Sequence, residues 1–136
     1  MDRITRINKL QDILKTRIVL VDGAMGTSIQ ALNLTSADFG GETYDGCNEY
    51  LNITKPNVIK DIHRSFLEAG ADIIETNSFG STALVLSEYS NEIDSRNVSK
   101  TASALARDVA DEFLTESWPR FVAGSMGPTT KAITVT

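Results

Sequence analysis

A carboxylate, Asp22, follows the apolar run Ile18 to Val21 and leads into the turn Gly23-Ala24-Met25-Gly26-Thr27. A second, Glu75, follows Ala71 to Ile74 and leads into Thr76-Asn77-Ser78, while Ser125 lies just past Phe121 to Ala123 in Gly124-Ser125-Met126-Gly127-Pro128-Thr129. An acid on a rigid element beside a glycine-rich turn could hold both ends of an amino acid. Its carboxylate would take the ammonium, and the turn amides would take the ligand carboxylate. The plainer reading is that Asp22 caps its own turn in an Asx-type hydrogen bond. Glu75 is either a hydrogen-bonding or catalytic group or half of a structural ion pair, because burying it alone is costly. Asn77 and Ser78 can donate and accept at the same place or serve turn chemistry. Met126-Gly127-Pro128-Thr129 calls for close backbone approach and a rigid bend, or is simply a loop.

The other reactive residues read as structural. His63 stands at the edge of an apolar helical stripe and is expected to be packed or capping. Cys47 is the one thiol in the chain, and a zinc site usually needs three or four protein ligands, so no metal site is expected from this chain alone. Gly23 to Thr27 is too short to be a phosphate-binding fingerprint.

Positioning these groups requires three strands. The apolar runs start roughly 50 residues apart with amphipathic helical patterns between them, so the chain reads as consecutive β/α units with parallel strands. In such folds the chemistry collects at the carboxyl ends of the strands, where Asp22, Glu75 and Ser125 lie. Ile4, Ile7, Leu10, Ile13 and Leu14 form the stripe of a first helix that covers one end of the sheet or packs on its face. Gly23 to Asn52 reads as a long loop lining a site, with local helical turns near Thr27 to Leu32. Thr54 as cap and Pro56 in the first turn open a helix with Val58, Ile59, Ile62, Phe66 and Leu67 inward, closed by Gly70. Strand two, Ala71 to Thr76, follows at once. Ser81 to Tyr89 suggests a short helix, and Val98 to Leu114 a long one ending before Trp118-Pro119.

A chain of 136 residues with 41% apolar and 23% charged residues falls in the globular range. Its net charge of -5, with 13 basic residues scattered among 18 acids, argues against nucleic-acid and anionic-membrane partners. No apolar run reaches the roughly 20 residues of a membrane span, the start lacks the apolar centre of a signal peptide, and the expected location is cytoplasmic.

Several strings together resemble one family: Val19-Leu20-Val21-Asp22-Gly23-Ala24-Met25-Gly26-Thr27, Cys47-Asn48-Glu49, Thr54-Lys55-Pro56, Asp61-Ile62-His63, Glu68 through Phe79, and Phe121 through Thr129. They look like the amino-terminal homocysteine-binding module of cobalamin-dependent methionine synthases, and fit it better than the betaine-type homocysteine methyltransferases. The resemblance implies an α/β fold, a (β/α)8 TIM barrel of which residues 1–136 would be a partial form: an N-terminal helix and the first three β/α units of the homocysteine-binding domain. It also implies zinc, held by three cysteine thiolates, which lowers the homocysteine thiol pKa for attack on a methyl group carried by cobalamin bound to other domains. Those cysteines would come from later strands, and Cys47 matches a position that is not a ligand. What carries over is Asp22 with Gly23, Ala24, Met25, Gly26 and Thr27 as contacts to the amino-acid end of homocysteine, supported by Glu75, Asn77 and Ser125. Three strands leave open edges and an uncovered face, so the chain is expected to be inactive alone and to need the missing part of the barrel as partner. An amino-acid-binding module without chemistry, or a barrel-half subunit, is the alternative.

Overall fold

The computed structural model describes residues 1–131. Helix α1 (Arg3–Leu14) is capped by Asp2, whose carboxylate accepts the Thr5 amide at 3.0 Å. Beyond Ile18–Val21 come short helices α2 (Met25–Gln30), α3 (Ser36–Phe39) and α4 (Leu51–Thr54), with 3-10 turns at Glu42–Tyr44 and Asn48–Tyr50. The alternation that follows is α5 (Pro56–Glu68), β1 (Ile73–Glu75), α6 (Ala83–Leu86), α7 (Ser95–Glu112) and β2 (Phe121–Ala123).

β1 and β2 run parallel, pairing Ile73 with Phe121, Ile74 with Val122 and Glu75 with Ala123. Parallel neighbours need a long crossover, and α7 supplies it. On the other side of β1, the expected strand Ile18–Val21 is corrected to a single parallel bridge between Val21 and Ile73. The Asp72 and Ile73 amides donate to the Leu20 carbonyl at 2.8 and 3.0 Å, and the Asp22 amide donates to the Ile73 carbonyl at 2.9 Å. Ile18 and Leu20 are 84% and 55% exposed. Strands of a parallel sheet normally have both faces covered, and this run lacks such cover.

Two further expectations change. The stretch Gly23–Asn52 carries the expected helical turn near Thr27 as α2, but the rest is not plain loop: it adds α3, two 3-10 turns and the start of α4, each too short to write a helical period. Thr54 does not cap α5. It ends α4, its hydroxyl donating back to the Tyr50 carbonyl at 3.5 Å, and Lys55 (φ -137°, ψ 56°) separates the two helices. A residue before proline is disfavoured in the helical region, which puts the break at Lys55 and leaves Pro56 as the first residue of α5.

Gly70, at φ +106°, closes α5. The Ala71 amide reaches the Phe66 carbonyl and the Gly70 amide the Leu67 carbonyl, a Schellman arrangement that turns the chain directly into β1. Helix α7 starts at Asp94, which accepts the Arg96 and Asn97 amides at 3.0 and 3.1 Å. Ala102, Ala106 and Ala110 recur every fourth residue and are wholly buried, so α7 lies close on its neighbours. One core group joins Ile29, Phe39, Leu51, Ile59, Ile62 and Leu105, a second joins Leu67, Ile74, Ala106, Val109 and Ala110, and Phe66 packs against both. Helix α1 has no buried residue. It is tied to the far end of α7 by Arg6–Asp111 at 3.2 Å and by Lys9 to the Glu116 carbonyl.

Candidate functional site

The carboxyl ends of the paired segments open into a cleft of about 270 Å³ lined by residues of all three. Asp22 does not cap its own turn. Its Oδ1 accepts the Glu75 amide at 2.9 Å, 53 positions along the chain, which ties the first segment to the end of β1. Oδ2 has no protein partner among the described residues. Partial burial is the main cause pushing the Asp22 carboxyl up to about 6; the Glu75 amide counters it, and the nearby Glu75 charge adds to it. Gly23, Ala24, Met25 and Gly26 form the adjoining wall, with Ala24 in the left-handed region at φ 49°, ψ 38°. For a residue with a Cβ that conformation costs energy, and such strain is characteristic of ligand-facing turns. Thr27 lies outside the lining; its hydroxyl donates to the Ala24 carbonyl at 3.1 Å.

The far wall hangs on a hydroxyl relay. The Ser125 amide donates to Thr76 Oγ1 at 3.0 Å and Ser78 Oγ donates to the Ser125 carbonyl at 2.8 Å. Ser78 has only one hydroxyl proton, so in the 2.6 Å contact between Thr76 and Ser78 the donor is Thr76. Asn77 is buried. Its Nδ2 donates to the Asn48 carbonyl at 2.8 Å, and Asn52 Nδ2 donates to the Asn77 carbonyl at 2.8 Å, which joins the end of β1 to the 3-10 turn before α4. Glu75 is exposed at the mouth, its Oε2 3.5 Å from Ser125 Oγ, with no ion-pair partner among the described residues. Glu49 reaches across to the Gly80 amide at 2.8 Å. Asp22, Glu49 and Glu75 thus give the lining three carboxylates, and no Lys or Arg stands among its described residues.

At the opposite, amino ends of the strands a buried carboxylate of the β1 segment pairs with an exposed guanidinium. Asp72 accepts Arg17 Nη1 and Nη2 at 2.8 and 2.7 Å, the Leu20 amide at 3.0 Å and Trp118 Nε1 at 2.8 Å. The Arg17 bonds hold its carboxyl well below the usual carboxylate range. Arg120 stacks 3.6 Å above the Trp118 ring.

The structure brings Asp22, Gly23 to Gly26, Glu75, Asn77 and Ser125 together. The residues that sequence reasoning passed over are Asn48, Glu49, Thr76 and Phe79 in the lining, Asn52 behind it, and Asp72 at the opposite ends of the strands. Cys47-Asn48-Glu49 was visible as a motif, but nothing local said that Glu49 crosses the cleft. His63 is fully buried with both ring nitrogens unpartnered among the described residues, as its place on the apolar stripe suggested. Burial holds it down to about 4. Cys47 packs with Leu86 and Val98, and burial pushes its thiol up to about 11. Among the described residues no group of His, Cys, Asp and Glu is arranged to hold a metal ion, and no helix is long and apolar enough to cross a membrane.

Comparison with known proteins supplies context for this cleft. A family model described as homocysteine S-methyltransferase matches residues 19–135. The chain is 48% identical over 126 residues to a methionine synthase of Mycobacterium tuberculosis, covering 93% of this chain and 10% of that protein. With a methionine synthase of Mycobacterium leprae it shares 45% identity over 139 residues, 98% of this chain and 11% of that one. It therefore spans about a tenth of the length of these curated relatives. Its fold is similar to crystal structures of the homocysteine methyltransferase MmuM from Escherichia coli. The metallated and oxidized forms both superpose with a TM-score of 0.70, at 25% and 26% identity, over 88% of this chain and 41% and 40% of theirs.

Proposed function

The chain belongs to the homocysteine S-methyltransferase family, and from that premise we propose that its cleft receives the amino-acid end of homocysteine. The observation that carries this reading is Asp22: a carboxylate fixed by the Glu75 amide, with one oxygen left over, beside a strained turn. An ammonium group placed at Oδ2 would meet a charge-assisted acceptor, and its positive charge would offset the burial that raises the Asp22 pKa. The substrate carboxylate would face the backbone of Gly23 to Gly26, with Thr27, expected beside them, standing outside the lining. Asn77 and Ser125 hold the opposite wall, and Glu75 adds negative charge at the mouth. The volume suits a ligand of amino-acid size, below the roughly 300–1,000 Å³ of drug-sized pockets.

As part of the same proposal, residues 1–136 form the first three β/α units of a barrel domain. Its edges at the Val21 segment and β2 would be completed by further barrel strands, in a cytoplasmic enzyme. The described residues do not fit a zinc site: the single thiol is buried away from the cleft with its pKa raised, and no donor cluster accompanies it. No step of methyl transfer is assigned to them, and the chain alone is expected to bind without catalysing. The test is a titration of the isotope-labelled 136-residue chain with L-homocysteine, followed by amide shifts. The reading requires saturable shifts at Gly23 to Gly26 and Asn77, and at least a tenfold weaker response in Asp22→Asn. Absence of saturable shifts in the native chain would overturn it.

A further inference from the structure

Glu49 and Phe79 line the cleft, and Gly80, next to Phe79, ties them together. Phe79 lines both the cleft and a neighbouring hydroxyl-rich cavity, yet the residue is 59% exposed. Side-chain burial therefore does little to fix it, and its backbone must be held from elsewhere. Two bonds do so. On one side the Gly127 amide donates to the Phe79 carbonyl at 2.9 Å. Gly127 is needed there because a Cβ would come within 2.7 Å of the Phe79 carbonyl oxygen and within 2.6 Å of its ring. On the other side Glu49 Oε1 accepts the Gly80 amide at 2.8 Å. Glu49 is itself seated, because Asn77 holds the carbonyl of Asn48 next to it. A Cβ on Gly80 would lie 2.9 Å from Glu49 Oε1 and 3.2 Å from its Cδ. The carboxylate and the bare glycine thus fit as one device.

We propose that Glu49 is a positioning residue: by accepting the Gly80 amide it fixes Phe79 as a wall of the cleft and so sets the affinity of the cleft for its amino acid. The inference rests on the homocysteine reading given above. It separates two uses of a carboxylate. If Glu49 acted through its charge, the neutral isostere would fail like alanine; as an acceptor for one N–H, glutamine replaces it through its amide oxygen.

The test measures L-homocysteine affinity by the same amide-shift titration in the 136-residue chain, its Glu49→Gln, Glu49→Ala and Gly80→Ala variants, together with hydrogen exchange of the residue 80 amide. The proposal requires Glu49→Ala to weaken binding about tenfold and to lose protection at residue 80, since removing the acceptor leaves the part-buried Gly80 amide unpaired. Glu49→Gln should stay within about threefold of the native chain with protection retained. Gly80→Ala keeps the carboxylate but sets a Cβ 2.9 Å from Glu49 Oε1, the movable end of its side chain, so its affinity should fall between that of the native chain and that of Glu49→Ala. Native binding with Glu49→Ala unchanged, or with Glu49→Gln as damaged as Glu49→Ala, overturns this inference while leaving the homocysteine reading intact. A native chain that does not bind overturns both.

Discussion

At the scale of single residues, environment decides chemistry more than identity does. Asp22 and Asp72 are both aspartates beside paired strands, yet one is pushed up by burial with little compensation and the other is held down by Arg17. The first is poised to gain from an incoming cation. The second has spent its charge on a brace linking Arg17, Leu20 and Trp118. Cys47 shows the same rule for a nucleophile. A fully buried thiol raised to about 11 is neither thiolate nor accessible at neutral pH. Native protein at pH 8 should therefore resist iodoacetamide, and denatured protein should be alkylated within minutes; mass spectrometry distinguishes them, and rapid native labelling would contradict the packing described for α6 and α7.

At the scale of elements, each helix that bears on the cleft is terminated by a particular local device. Lys55-Pro56 breaks α4 from α5, Gly70 turns α5 into β1, and Asp94 starts α7 after the loop that follows α6. Asp94 accepts two otherwise unpaired amides of the helix that touches every core group, through Val98, Leu105 and Val109. Replacing it with alanine should cost about 1 kcal/mol of stability. Urea unfolding checks this, with the slope unchanged because the same surface is exposed; no shift in midpoint would mean that the cap bonds contribute nothing.

At the scale of the whole molecule, two groups titrate in opposite senses. His63 is held down to about 4 against 6.5 for an ordinary histidine, so between those values the unfolded chain binds the extra proton and stability falls as the pH falls. Asp22 is raised to about 6 against 3.8. Across that window the native state binds the extra proton, and stability rises as the pH falls. Between about pH 4 and 6 the two slopes oppose each other. Asp22→Asn removes one of them, leaving His63 to impose a slope approaching one proton, about 1.4 kcal/mol per pH unit, joined near pH 4 by the depressed carboxylates Asp38 and Asp72, which act in the same sense. Unfolding free energies of the native and variant chains from pH 6.5 to 4 should diverge in that sense. Parallel curves would show that one of the two groups is not where burial places it.

The amino-acid order alone determined a good deal: parallel β/α alternation, the stripes of α5 and α7, the turn at Gly70, the strand at Phe121–Ala123, and the clustering of Asp22, Glu75, Asn77 and Ser125 at one end. All of these follow from local periodicity, from backbone preferences of Gly and Pro, and from the rule that polar groups gather where parallel strands end. Tertiary structure alone decided the rest. It reduced Ile18–Val21 to one bridge because an apolar run needs layers on both faces, and it moved the cap of α5 from Thr54 to the Lys55-Pro56 break. It also paired Asp22 with an amide 53 residues away, chose Asp72 rather than Glu75 for the ion pair, and carried Glu49 across the cleft to Gly80. Each of these depends on the distance between segments far apart in the chain, and one-dimensional spacing carries no information about such distances.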